Sequence, residues 1–153
     1  MPQFKYSILG LDPEKTAKAS GRDFRISPKD AREVCYAING MMLSEAKDYL
    51  DAVMEERALI PLKRHHKHVG HHRGLLKWYT GRYPFNASKQ IKVVLNNAES
   101  NAEFKGLDIE RLKIIHINAH RGRKIRKYIP RARGRATPYN KPLTHIEVVV
   151  EEE

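Results

Sequence analysis

The sequence predicts an α/β (α+β) chain with a long extended β-hairpin arm, on three observations. Apolar residues recur at helical spacing in three separate stretches, each preceded by a Ser or Asn able to cap it. Two stretches near the C-terminus, Leu112 to Ala119 and Ile146 to Val150, alternate as strands do. The residues between those strands hold Pro130, Gly134 and Pro138 and almost nothing apolar. That combination predicts one antiparallel hairpin whose base alone has a core to join.

The elements follow in order. Residues 1–23 are polar and weakly periodic, broken at Gly10 and Pro13, and read as an arm or an edge strand. Ser27-Pro28-Lys29-Asp30 opens the first helix, with Ser27 as the cap, Pro28 at the first helical position and Asp30 against the positive helix end. Ala31, Val34, Cys35 and Ile38 form its stripe, and Asn39-Gly40 closes it. Cys35 on that stripe reads as a buried structural cysteine, with no cationic activator expected on its face. Ser44 is the expected cap of the second helix, whose apolar stripe is Ala46, Tyr49, Leu50, Val53 and Met54. Asn86 is the expected cap of the third, with Ile91, Val94, Leu95, Ala98 and Ala102 on one face and Lys105-Gly106 at its end. In the first strand, Ile115, Ile117 and Ala119 are expected to share a side.

Between the second and third helices lies a long loop, residues 59–85, containing five of the eight histidines. Pro61, Gly70, Gly74, Gly81 and Pro84 forbid one continuous helix there. A zinc site would need converging ligands that usually include Cys or carboxylate, and this stretch has neither. Contact with phosphates and bases fits better, through Lys63, Arg64, Lys67 and Arg73, with His65, His66, His68, Trp78 and Tyr79 available beside them. Trp78 reads equally as a stacking platform or as the loop's anchor.

Charge decides the class of partner. The chain of 153 residues carries 29 Lys and Arg against 18 Asp and Glu, and its isoelectric point is near 9.8. The segment Arg111 to His145 holds eleven Lys or Arg and no carboxylate. Without it the remainder balances at 18 against 18, so this one segment supplies the whole net +11. A merely solvated surface mixes signs, whereas this run excludes one, which points to a polyanion. Hydrophobic content of 41% is enough for a modest core and too high for a disordered chain. No apolar run reaches the length of a spanning helix, so membrane insertion is not expected, and no signal peptide is evident. The single cysteine suits a reducing cytosol and excludes an internal disulfide. The chain lacks a nucleophile motif, and the histidine cluster of residues 59–85 lacks nearby carboxylates, which argues against a hydrolase. No catalytic residue, cofactor or metal ligand is therefore expected.

Pro130-Arg131-Ala132-Arg133-Gly134-Arg135-Ala136, followed by Thr144-His145-Ile146 and the alternating Val tail, resembles the signature of the universal large-subunit ribosomal protein twenty-two family. Arg25 to Arg32, Asn39-Gly40 through Glu45-Ala46, and Asn96 to Ala102 are similar to that family's helical segments, in the family's order. The insert and the N-terminal extension are absent from the bacterial pattern and resemble the archaeal and eukaryotic branch.

The resemblance implies three helices packed on a small antiparallel sheet, as a single domain over 1–153 with an N-terminal arm (1–23), a basic insert (59–85) and the extended hairpin (111–150). It implies a cytoplasmic, non-catalytic constituent of the large ribosomal subunit that binds rRNA, neighbours other large-subunit proteins and supports assembly. On that mapping Pro130, Arg131, Ala132, Arg133, Gly134 and Arg135 form a tip facing the nascent peptide in the exit tunnel. The expected RNA-binding set comprises Lys29 and Arg32; Lys63, Arg64, His65, His66, Lys67, His68 and Arg73; and, on the hairpin, Arg121, Arg123, Lys124, Arg126, Lys127, Arg131, Arg133, Arg135 and Lys141. The alternative is a free-standing nucleic-acid-binding regulator that lays the hairpin in a groove as a β-ribbon. No dimerisation signal in the sequence supports it.

Overall fold

A computed structural model describes residues 5–75 and 77–153; the first four residues of the expected arm, and Leu76, lie outside the described residues. The sheet has three strands: β1 (Thr16–Phe24), β4 (Leu112–Ile125) and β7 (Lys141–Glu152), in the order β1-β7-β4 and antiparallel throughout. The Val-rich C-terminal strand is therefore central. Ile146, Val148 and Val150 of β7 face Ala17 and Ala19 on one side and Ile114 and Ile117 on the other, and all join one core.

Helices α1 (Pro28–Ile38) and α3 (Phe85–Phe104) cover that face, and α2 (Leu43–Met54) packs on α3. The stripes expected for α1 and α3 are buried. In α2, Ala46, Leu50 and Val53 are buried while Tyr49 and Met54 lie at the margin. Polar groups fasten α2 to α3 at the rim: Lys92 Nζ lies 2.6 Å from Asp51 Oδ1, and Lys47 pairs with Glu99. Along β1, the Lys18 carbonyl accepts from Asn101 Nδ2 at 2.9 Å and the Thr16 carbonyl from Lys105 Nζ at 2.8 Å. Side chains at the C-terminal end of α3 and just past it thus engage backbone acceptors of this edge strand, which would otherwise invite another chain.

Three local expectations are corrected. Ser27 caps α1 as expected, accepting from Asp30 N–H at 3.4 Å, but Ser44 does not cap α2. The helix begins at Leu43, and the preceding junction is held instead by β4: Gly40 N–H donates to the Ile114 carbonyl and Ile114 N–H to that of Met41, each at 2.9 Å. Asn86 does not cap α3, which begins at Phe85 because Ser88 N–H already reaches the Pro84 carbonyl at 3.0 Å. In β4 the pairing register shifts between Ile114 and His116. The extra residue reverses the alternation, so Ile114 and Ile117 both enter the core and Ile115 does not.

The opposite face of the sheet carries a buried carboxylate. Glu147, fully buried in β7, accepts from Ser7 N–H at 3.1 Å and from the Ser7 hydroxyl, and lies 2.9 Å from Nε2 of both His116 and His120 on β4. Tyr6 sits under Lys18 of β1, so the N-terminal segment lies across this face. Burial alone pushes the Glu147 carboxyl up, but the bonds from Ser7, His116 and His120 outweigh it and hold it down at about 2. A carboxyl lowered on folding stabilises the fold fully above its ordinary value of 4.5 and loses that contribution as pH falls towards 2. Acid titration of the wild type should show a loss on the order of 3 kcal/mol from this group between those limits. Glu147→Gln should flatten that part of the profile; an unchanged acid limb in the variant would refute the assignment.

Candidate nucleic-acid interface

Past the core the β4–β7 ladder continues outward alone. Arg121 pairs with Thr144, and after a second register shift Lys124 meets Pro142 and Ile125 meets Lys141. Tyr139 N–H donates to the Lys127 carbonyl at 2.6 Å, and β5 (Tyr128–Pro130) then pairs with β6 (Ala136–Pro138). Arg131 N–H bonds the Arg135 carbonyl at 2.8 Å, closing the tip. From Arg121 to that closure the ribbon extends about 35 Å at strand rise. Its side chains are almost all exposed, so backbone pairing alone gives it shape. At the base, the buried Thr144 hydroxyl donates to the Ile26 carbonyl at 2.9 Å and fixes the direction in which the ribbon leaves the domain.

The chemistry of the ribbon follows from its composition. Between Arg121 and Lys141 lie nine Lys or Arg and no carboxylate. Among the described residues only Arg123 has a carboxylate partner, Asp23 at 3.8 Å. Pro130, Pro138 and Pro142 each remove a donor from a ribbon edge, and like charge repels a second ribbon, so both exposed edges are guarded. Arg133 has φ 58° and ψ 38°, followed by Gly134 at φ 67°. A left-handed arginine costs roughly 1 kcal/mol and leaves its side chain exposed at the turn.

The insert is a closed loop. β2 (Ile60–Pro61) pairs with β3 (Gly81–Arg82), Leu62 N–H reaches the Thr80 carbonyl at 3.0 Å, and His72 N–H that of Tyr79 at 2.7 Å. The Trp78 indole donates to the Leu62 carbonyl at 3.0 Å and stacks on Tyr79 with centroids 5.1 Å apart. Trp78 is thus the loop's anchor, and the partly exposed Tyr79 covers it. The edges of His66 and His71 meet the Tyr79 ring, and His72 meets Tyr83. Among the described residues no group of three His, Cys, Asp or Glu is arranged to hold a metal ion.

Most of the predicted cations stand either along the ribbon or at its root. Arg121, Arg123, Lys124, Arg126, Lys127, Arg131, Arg133, Arg135 and Lys141 run along the ribbon. Lys29 and Arg32 on α1 come together with Arg64 and His65 of the insert beside Arg121, at the ribbon's root. Lys63 instead turns to the Tyr36 ring, 4.9 Å from its centroid. Lys67, His68 and Arg73 lie exposed farther along the loop.

Sequence reasoning missed Glu33. It is buried, and its carboxylate accepts from Lys63 N–H and His65 N–H at 2.8 Å and from Arg64 N–H at 3.1 Å. Nothing local signals this, because its partners are backbone amides thirty residues away. Cys35 is buried as expected, although Arg32 does stand beside it. Burial pushes its thiol up to about 12, against the smaller lowering effects of a backbone hydrogen bond and the Arg32 charge.

The sequence matches the family described as ribosomal protein L22p/L17e over residues 19–151. The chain belongs to that family. It is 54% identical to large ribosomal subunit protein uL22 of Methanopyrus kandleri, over 99% of each chain. It is 50% identical to that of Archaeoglobus fulgidus and 49% to that of Methanocaldococcus jannaschii, covering 99% of this chain and 97% of each relative. These alignments run through the insert and the N-terminal segment as well as the hairpin, so the chain falls in the archaeal-type branch of the family. Among the described residues no helix is long and apolar enough to cross a membrane.

Proposed function

We propose that this chain is a structural, non-catalytic constituent of the large ribosomal subunit in the cytoplasm. It acts as one domain, with arm, insert and hairpin included. It binds rRNA and adjoins other large-subunit proteins, and its tip from Pro130 to Arg135 lines the nascent-peptide exit tunnel. The observation that carries this reading is the coreless ribbon of nine cations without a carboxylate, in a chain of the L22p/L17e family.

The physics of such a ribbon suits packed RNA. Phosphates that converge on folding repel one another, and a two-stranded arm is narrow enough to bring cations between them. Guanidinium forks bridge two phosphate oxygens and stack on bases, which favours Arg over Lys at Arg131, Arg133 and Arg135. Because the backbone ladder is already formed, binding need order only side chains. Lys124, Arg126 and Lys127 along the arm would neutralise phosphates, and neutralisation of this kind weakens steeply with salt.

Sedimentation of a tagged chain through a sucrose gradient tests the reading. It should travel with the large subunit and remain there after a high-salt wash. A chain found only in the light fractions would instead support a free-standing nucleic-acid-binding regulator. For the tunnel assignment, a nascent chain carrying a photo-crosslinker should form adducts at residues 130–135; adducts confined to other proteins would refute it.

A further inference from the structure

We propose that the cleft where the first turn of α1, the start of the insert and the root of the hairpin meet is a seat for RNA backbone phosphate, separate from the tip, and that Glu33 is its positioning residue. The inference rests on the reading of this chain as an rRNA-binding protein and names a site within it.

The cleft is lined by Lys29, Arg32, Arg64, His65 and Arg121, drawn from three segments far apart in sequence. No carboxylate lines it, and among the described residues none of its Lys or Arg side chains has an ion-pair partner. Asp30, next to Lys29 on α1, is exposed and does not line the cleft. Four permanent cations held in one concavity repel one another, and a concave basic surface focuses potential onto an anion. The first turn of α1 contributes further, since helix N-termini favour anions. The mixture of Arg forks, Lys and an imidazole edge suits phosphodiester oxygens, which accept from several directions at once.

Glu33 gives the cleft its shape. Arg64 and His65 belong to a loop with no regular structure at that point, yet three consecutive amides, those of Lys63, Arg64 and His65, are fixed by one buried carboxylate on α1. The negative charge faces the loop backbone from within the domain while the cationic side chains line the cleft. An acid beside a cationic site would ordinarily weaken anion binding. Here it anchors the segment that brings Arg64 and His65 alongside Arg32 and Arg121.

The two roles predict opposite signs for one substitution. Glu33→Gln raises the net charge by one and, on charge alone, tightens RNA binding. If Glu33 positions the loop, the variant binds more weakly, because an amide cannot accept at both of its terminal atoms. The experiment measures affinity of the full chain for a large-subunit rRNA fragment across a salt series, for wild type, Arg32→Gln, Arg64→Gln, Arg121→Gln, Glu33→Gln and the Glu33→Gln/Arg64→Gln pair, with melting temperature recorded for each. Lys89→Gln, an exposed cation on α3 outside the cleft, controls for loss of one charge.

Each cleft arginine variant should lose about 5- to 10-fold in affinity and lower the log–log salt slope by about 0.7 to 0.9, with melting unchanged. Glu33→Gln should lose about 3- to 10-fold, and most of that loss should vanish in the Arg64→Gln background, since the pair acts through one group. Tighter binding by Glu33→Gln, or an undiminished loss in the paired variant, overturns the positioning role. Cleft variants indistinguishable from Lys89→Gln while tip variants weaken binding overturn the seat. Should Glu33→Gln melt early, the three arginine variants still decide the seat. A wild type that does not prefer the rRNA fragment to random duplex would instead count against the ribosomal reading itself.

Discussion

Replacing Arg131, Arg133 and Arg135 together by Ala should leave the stability of the free protein within about 0.5 kcal/mol of wild type, while rRNA affinity falls about 100-fold or more and the salt slope drops by about 2 to 3. The reasoning is geometric. All three side chains are exposed, and none has a carboxylate partner among the described residues. The bonds that close the turn are backbone ones, Arg131 N–H to the Arg135 carbonyl and Arg135 N–H to that of Ala132, and Ala retains them. The native fold therefore gives up nothing when the guanidinium groups are removed, and the whole effect appears in the complex. Thermal melts of the free protein and filter binding at several salt concentrations check the two halves separately. A drop of several degrees in melting temperature would mean that the tip packs on its own domain.

Leu95→Ala and Ile38→Ala should do the reverse and cost about 2 to 5 kcal/mol each in folding. Both side chains are fully buried in the one core that joins α1, α2, α3 and the sheet. The core is small, so neighbours collapse only partly into the cavity and the loss is large against a net stability of about 5 to 15 kcal/mol. Denaturant unfolding followed by far-ultraviolet circular dichroism gives the values. A cost below about 1 kcal/mol at both sites would contradict the packing described. RNA binding by these variants should recover under conditions where they remain folded, since neither residue reaches the basic surface.

The Glu33 amide anchor and the Glu147 node make a related point about buried acids. Each accepts from donors on another segment, so each is satisfied inside the domain rather than left as an isolated charge. One fixes the insert and the other the N-terminal segment. Each carboxylate thus ties a segment remote in sequence to the sheet-and-helix core.

Much of this was legible in the residues. Helical spacing located all three helices, because an amphipathic stripe is a local property that a 3.6-residue repeat shows directly. Alternation located β4 and β7, and the scarcity of apolar residues between them located the arm. The excess of Lys and Arg without carboxylates identified a polyanion as partner, because charge needs no fold to be counted. Proximity was not legible. That β7 lies between β1 and β4, that a bulge brings Ile114 and Ile117 into one core, and that the junction before α2 is capped by β4 rather than by Ser44 all depend on segments distant in sequence. The same holds for the cleft of Lys29, Arg32, Arg64, His65 and Arg121. Local periodicity and composition were enough to place the three helices, β4, β7 and the arm, and to set the sign of the partner. Which cations stand together, and that Glu33 holds the insert beside them, emerged from the folded chain, since hydrogen bonds between remote segments leave no periodic trace in a sequence.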